Sequence, residues 1–190
     1  MAEILLFHHA QGLTPGVIEF AETLRGAGHV VHAPDLYDGK TFADLDEGVG
    51  YARQVGFDTI LDRGRNAADK LPNELVYAGF SLGVMPAQML AQTRPGARGA
   101  LFFSAALPAS EFGDAWPSGV PLQIHMMEGD AWAEEDIPAA RELVASVDDA
   151  ELFLYPGDRH LFADSSLPDY DEGAAATLGE RVVSFLAGLG

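Results

Sequence analysis

Short apolar runs alternate with stretches of helical spacing along the whole chain. Ile4–His8 is a compact apolar run that stops at a Gly-containing loop, and it reads as a buried strand. From Pro15 to Ala27 the apolar positions Val17, Phe20, Ala21 and Leu24 fall on one helix face. Thr14 is placed to cap that helix, with Pro15 as its first residue. His29–Ala33 reads as a second strand, ended by Pro34. Asp44–Val55 and Thr59–Leu71 carry helical patterns, and Pro72 stops them. The spacing then predicts a strand over Glu74–Phe80, a helix over Leu82–Gln92, and strands over Ala100–Ser104 and Pro121–Met126. A helix over Glu134–Ser146, a strand over Ala150–Tyr155 and a terminal helix over Glu172–Leu189 complete the pattern.

Strands separated by helices predict right-handed βαβ units. The expected architecture is a doubly wound, mostly parallel sheet flanked by helices, in one domain over residues 1–190. There is no internal repeat and no low-complexity linker. In such sheets ligands gather beyond the carboxyl ends of the strands, so chemistry is sought in the residues that follow each strand.

The third strand runs into Gly79-Phe80-Ser81-Leu82-Gly83, a G-x-S-x-G sequence between a predicted strand and a predicted helix. The glycines leave room for a sharp turn that lifts the serine hydroxyl clear of the sheet. The same turn puts Ser81 at a helix N-terminus, where free N–H groups favour negative charge. Glu128-Gly129-Asp130 follows the fifth strand, and Gly157-Asp158-Arg159-His160 follows the sixth. The order Ser81, Asp130, His160 is that of an α/β-hydrolase triad. A serine hydroxyl is a weak nucleophile until a base takes its proton, and imidazole titrates near neutrality. His160 is the candidate base, and Asp130 the group that orients it. Glu128 and Asp158 are rivals to Asp130, which is favoured because it follows its own strand. An Asp after Gly also serves simply as a turn former. An oxyanion hole needs two backbone N–H donors. Leu82 is the first candidate, and the second lies around His9 or Ala10, after the first strand.

Of the other histidines, His29 and His32 belong to the second strand and read as structural, and His125 in the fifth strand is expected either to pack or to face outward. His8 and His9 end the first strand beside the expected pocket, where they either touch substrate or line it. Phe7, Phe80, Leu107, Trp116, Trp132 and Phe162 lie near strand ends, and more of them are expected in the core than in a pocket. His8, His9, Phe80, Trp132 and Phe162 are the candidate pocket residues. The Pro-, Ala- and Gly-rich stretch 105–119 is a candidate loop over the site.

Composition narrows the reading. The chain has no cysteine, which excludes a thiol nucleophile, a Cys-ligated zinc and an iron–sulfur cluster. No cofactor and no metal are expected. The net charge of -18 repels nucleic acid and anionic membranes. Met1-Ala2-Glu3-Ile4 lacks a basic segment, and the apolar run after it is too short to span a bilayer, so a cytoplasmic location is expected. No Gly-x-Gly-x-x-Gly follows the first strand, which removes a dinucleotide-binding reading. Hydrolysis of a small-molecule ester, thioester or lactone is expected. Acyl transfer and an idle binding scaffold are the alternatives, and both a monomer and a homodimer are compatible with the sequence.

Pro34-Asp35-Leu36-Tyr37, the elbow around Ser81, Gly129-Asp130 and His160-Leu161-Phe162-Ala163 together resemble the dienelactone hydrolase family. The resemblance runs along nearly the whole chain, and the order and separations of its motifs also fit. It implies a compact hydrolase without a large lid domain, acting on a lactone or small ester. By position Ser81, Asp130 and His160 match the family triad, and Ala10 matches the second oxyanion donor. Three positions depart from the family pattern. Ser81 stands where dienelactone hydrolases proper have cysteine. His9 stands in place of the glutamate that holds their resting thiol. Asp164 stands in place of the arginine that binds the substrate carboxylate. An uncharged substrate is therefore expected.

Overall fold

The computed structural model describes residues 1–113 and 115–189. Six strands, β1 (Glu3–Phe7), β2 (Val30–His32), β3 (Val76–Phe80), β4 (Gly99–Phe103), β5 (Leu122–Met127) and β6 (Ala150–Tyr155), form one sheet. Its order is β2-β1-β3-β4-β5-β6, and every adjacent pair is parallel. Helices α1 (Pro15–Gly26), α2 (Leu45–Val55), α3 (Phe57–Ala68), α4 (Val84–Thr93), α5 (Asp136–Ser146) and α6 (Glu172–Gly188) connect the strands or follow them. The expected doubly wound α/β architecture is present. No helix among the described residues is long and apolar enough to cross a membrane.

Period-two alternation divides the sheet's side chains between two cores. Leu5, Phe7, Tyr77, Phe102, Ile124 and Met126 pack with α2–α5 on one face. Ile4, Leu6, Val76, Phe80, Leu101 and Phe103 pack with α1 and α6 on the other. Strands β1, β3, β4 and β5 are almost wholly buried on both faces, as the continuous apolar runs require. Each such Leu or Phe contributes about 1.5–3 kcal/mol by leaving water.

Local signals set the element ends. The Thr14 hydroxyl accepts the Val17 N–H, with Pro15 as first helical residue, as expected. Asp44 and Asp171 cap α2 and α6 in the same way. The predicted helix over Leu82–Gln92 instead begins as a 3-10 turn, Ser81–Gly83, before α4 proper. The tight turn follows from the sharp reversal at the end of β3.

Three histidines tie strands together. His32 Nε2 lies 2.8 Å from Glu3, and His29 Nδ1 accepts the Ala2 N–H, which fastens the short edge strand to β1. His125 is wholly buried, bonded to the Tyr155 hydroxyl at 2.8 Å and to Gln123 at 2.9 Å. Burial, reinforced by the nearby Arg181 guanidinium, pushes its pKa down to about 3. Burial likewise pushes His8, just beyond β1, down to about 4.

In the unfolded chain both side chains take up protons near pH 6.5. The folded state keeps them neutral, so the unfolded state binds more protons as pH falls below that value. Stability from these two groups is complete above pH 6.5 and is lost progressively toward pH 4, by about 3 kcal/mol or more in total. The urea midpoint is expected to fall steeply between pH 7 and pH 4.5. An unchanged midpoint over that range contradicts this account.

Candidate active site

Parallel pairing brings the carboxyl ends of the strands to one edge of the sheet, and Ser81 stands at its centre. Its φ is +47°, a left-handed conformation that costs a non-glycine residue about 1–2 kcal/mol. The flanking glycines make the turn possible. A Cβ at Gly79 would lie 2.2 Å from the Gly83 carbonyl oxygen. A Cβ at Gly83 would lie 2.5 Å from the Phe7 oxygen and 2.7 Å from that of His8. The 3-10 turn at the head of α4 therefore rests directly against the end of β1.

Asp130 lies just beyond β5. Gly129 N–H donates to the Gly157 carbonyl at 2.8 Å and Glu128 N–H to Tyr155 at 2.9 Å, so the loops after β5 and β6 share a backbone ladder. Across it, Asp130 Oδ2 lies 2.6 Å from His160 Nδ1, while Asp130 Oδ1 accepts the Trp132 N–H at 2.9 Å. Ser81 Oγ lies 2.7 Å from His160 Nε2. A carboxylate only accepts, so His160 carries its proton on Nδ1 and leaves Nε2 to accept from the serine. Asp130 and His160 are buried, and Ser81 is half-buried. The rivals Glu128 and Asp158 make no such contact with the imidazole.

Ala10 follows His9 in a turn beyond β1, and its N–H donates to no acceptor among the described residues. Leu82 lies in the first turn at the head of α4, where N–H groups lack intrahelical partners.

Several candidate pocket residues lie elsewhere. Phe80 and Phe162 are buried in the core under α1 and α6, because strand alternation turns Phe80 to that face. Phe7 belongs to the opposite core. Trp116 packs edge-on against Phe102, and its indole N–H donates to the Val120 carbonyl. Leu107 is bonded to Gln88 of α4 in both directions, and Gln92 reaches Ala109, so this part of the 105–119 stretch is tied to α4. Asp114 lies outside the described residues. Trp132 alone of the pocket set is well exposed, at 48%, with its ring 6.3 Å from that of His160.

His8 and His9 are wholly buried and line no open surface. His8 Nδ1 bonds the His9 carbonyl at 2.7 Å, and its Nε2 accepts the Leu36 N–H at 2.9 Å. His9 Nε2 donates to Asp164 at 2.7 Å, and its Nδ1 accepts the Gln11 N–H at 3.2 Å. Asp164 also accepts from Thr14 and twice from Ser166. Burial alone would raise its pKa, but the bonds from His9, Ser166 and Thr14 together hold it below the usual carboxylate value. Asp164 is 2% exposed and offers nothing to a substrate.

Two nearby residues escaped the sequence reading. Ser104, at φ +64° after β4, donates its hydroxyl to the His160 carbonyl and fixes the histidine loop. The strand expected over Ala100–Ser104 ends one residue earlier, at Phe103, so Ser104 is itself a residue that follows a strand end. Asp136, first residue of α5, has its pKa pushed up to about 6, mainly by burial. A backbone hydrogen bond from Ala106 and the nearby His160 oppose that shift, and the neighbouring Asp130 and Glu135 carboxylates add to it. No local motif marks it.

The sequence model of the Dienelactone hydrolase family matches residues 2–189. The chain belongs to that family. It is accordingly a hydrolase of the α/β class that acts on ester bonds. No curated protein matches it in sequence. Among solved structures it is similar to a dienelactone hydrolase candidate from Klebsiella pneumoniae subsp. pneumoniae, at TM-score 0.75 and 17% identity, covering 98% of this chain and 87% of that one. A dienelactone hydrolase-like promiscuous phosphotriesterase from metagenomic libraries aligns at TM-score 0.74 and 20% identity, over 100% and 87% of the two chains. Thermogutta terrifontis esterase 2, phosphonylated by cyclosarin, aligns at 0.72 and 18%, over 100% and 83%. At these identities the likeness is one of fold.

Asp136 gives the site a measurable cost. At pH 7 it is ionised in both folded and unfolded states, and its raised folded pKa makes that ionisation unfavourable to folding. Asp136→Asn is expected to stabilise the protein by about 1 kcal/mol at pH 7.5, after discounting for partial exposure. The gain should vanish below pH 4, where the carboxyl is protonated in both states. Urea titrations of both proteins at the two pH values check this.

Proposed function

We propose that the chain is a serine hydrolase that cleaves a small uncharged ester, thioester or lactone through an acyl-enzyme on Ser81. The observation that carries this reading is the continuous line from Asp130 through His160 to the Ser81 hydroxyl, with contacts of 2.6 and 2.7 Å. In the first step Ser81 Oγ attacks the acyl carbon while His160 Nε2 takes the hydroxyl proton. Asp130, ionised and bonded to Nδ1, stabilises the imidazolium. The carbonyl oxygen becomes an oxyanion held by the Leu82 and Ala10 N–H groups. As the tetrahedral species collapses, the imidazolium gives its proton to the leaving alkoxide or thiolate, and the acyl group stays on Ser81. Water then attacks the acyl-enzyme with His160 again as base, which frees the acid and restores the serine.

Substrate charge follows from Asp164. It occupies the position that the family resemblance gives to a carboxylate-binding arginine, and its own carboxylate is buried among four donors. With that cation absent and Asp136 near the imidazole, an anionic substrate gains little here. The reading is of a small-molecule enzyme without nucleic-acid or membrane partners, and the cysteine-free composition agrees with a reducing cytoplasm.

The covalent step is tested by intact mass after exposure to a fluorophosphonate. The phosphonylated form of Thermogutta terrifontis esterase 2, a protein of the same fold, makes this probe apt. One adduct is expected on the native chain, none on Ser81→Ala, and a much slower reaction on His160→Ala. Absence of an adduct on folded native protein overturns the reading. For the substrate, kcat/KM for p-nitrophenyl acetate is expected to exceed that for an anionic dienelactone. Selective turnover of the dienelactone overturns the charge assignment alone.

A further inference from the structure

The buried His8, His9 and Asp164 take no part in the steps above, yet His8 bonds the peptide group between His9 and Ala10, and Asp164 bonds the His9 ring in the same turn. His9 supplies the carbonyl, and Ala10 the N–H, of that peptide. The carbonyl oxygen accepts from His8 Nδ1 at 2.7 Å and from Gly12 N–H at 3.0 Å. No peptide bond among the described residues is cis, so the Ala10 N–H points away from its own pinned carbonyl. That N–H is left without a protein acceptor. From the geometry we infer that His8 is a positioning residue for the oxyanion donor, and that the His9–Asp164 pair anchors the same turn to the histidine loop.

Each imidazole is locked in one role. His8 accepts the Leu36 N–H on Nε2, so its proton sits on Nδ1 and is available to the His9 oxygen. The Tyr37 ring stands edge-on to it at 5.0 Å, and the Asp35 carboxylate, 3.7 Å away, faces it from the same turn. The Pro-Asp-Leu-Tyr motif is therefore the seat of His8. His9 shows the opposite tautomer. Asp164, a carboxylate, can only accept from Nε2, so Nδ1 is free to receive the Gln11 N–H. Asp164 lies four positions beyond His160 in the sequence, so the pair fastens the turn bearing Ala10 to the loop bearing the base. Gly16 leaves room for this anchor, since a Cβ there would lie 1.8 Å from Asp164 Oδ1.

This inference rests on the serine hydrolase reading and adds to it. An oxyanion donor acts only if it is already aimed, because reorientation during the reaction would consume its benefit. Loss of aim therefore falls on kcat and leaves substrate binding nearly intact.

His8→Asn and His8→Gln separate this role from mere packing. Asn can place its amide nitrogen near the Nδ1 position and so bond the His9 oxygen. Gln can place a polar atom near Nε2 but leaves the His9 oxygen without that donor. With p-nitrophenyl acetate, His8→Gln is expected to lose about 100-fold in kcat with KM within twofold, and His8→Asn to stay within tenfold of the native rate. Asp164→Asn, which turns one acceptor into a donor facing its neighbours, is expected to lower kcat in the same KM-sparing way. Thermal melts on all three verify folding. Equal kcat in the two His8 variants, or losses carried by KM, overturn the inference, and so does a native-like kcat in Asp164→Asn should the His8 variants not fold. If the native chain shows no Ser81-dependent turnover, the hydrolase reading itself fails, which is a separate result.

Discussion

Gly83 has no room for a side chain, and the site is built on that contact. The turn at the head of α4 is pressed against the carbonyls of Phe7 and His8, while Gly79 is pressed against Gly83 itself. A serine between them has nowhere to go but the left-handed conformation, and the surrounding packing sustains the strain. The same contact decides which strand lies beside the elbow. β1 pairs with β3 from Ile4↔Val76 to Phe7↔Gly79, so the chain leaves β1 at the level where the serine emerges. The turn with the free Ala10 N–H is thus a consequence of sheet register.

Asp130 and His160 reach Ser81 by a different device. Asp130 and His160 sit on loops several residues past their strands, where a parallel sheet alone cannot fix them. The backbone ladder between residues 128–129 and 155–157 joins the two loops, and Ser104 fastens the histidine carbonyl to the end of β4. One half-buried acidic group opposes this economy. Asp136 is held beside the imidazole with a raised pKa, a charge that folding disfavours. Functional sites commonly retain such locally costly groups while the surrounding core maintains the fold.

The parts of the site legible in the sequence are those whose signal is local. The elbow is a pentapeptide, and the order of strand ends follows from alternating periodicity. The two partners of the serine could be chosen because each follows its own strand. What escaped depends on contacts between distant residues. His9 meets Asp164 across 155 positions, and no spacing rule announces a buried pair of that kind. Hence two histidines beside the expected pocket read as pocket residues when they are structural supports. Phe80 shows a different limit. It adjoins the nucleophile in the chain but faces the opposite core, and the period-two rule applied at the last strand residue would have shown it. Ser104 was hidden by a strand end placed one residue too late.

The charge inversion at positions 9 and 164 can now be given a physical reason. The family resemblance gives these positions an acid and a base that serve a thiol and a substrate carboxylate. Here an imidazole and a carboxylate occupy them, and each bonds the other. Both are buried, and every donor and acceptor of the pair has a protein partner. In the serine mechanism proposed above there is no resting thiol to hold, so the first position is released from that task. With Asp164 turned inward to bond His9, position 164 presents no side chain to a ligand. The two departures are then coupled, since the side chains at positions 9 and 164 bond each other and tie the turn after β1 to the loop that follows His160.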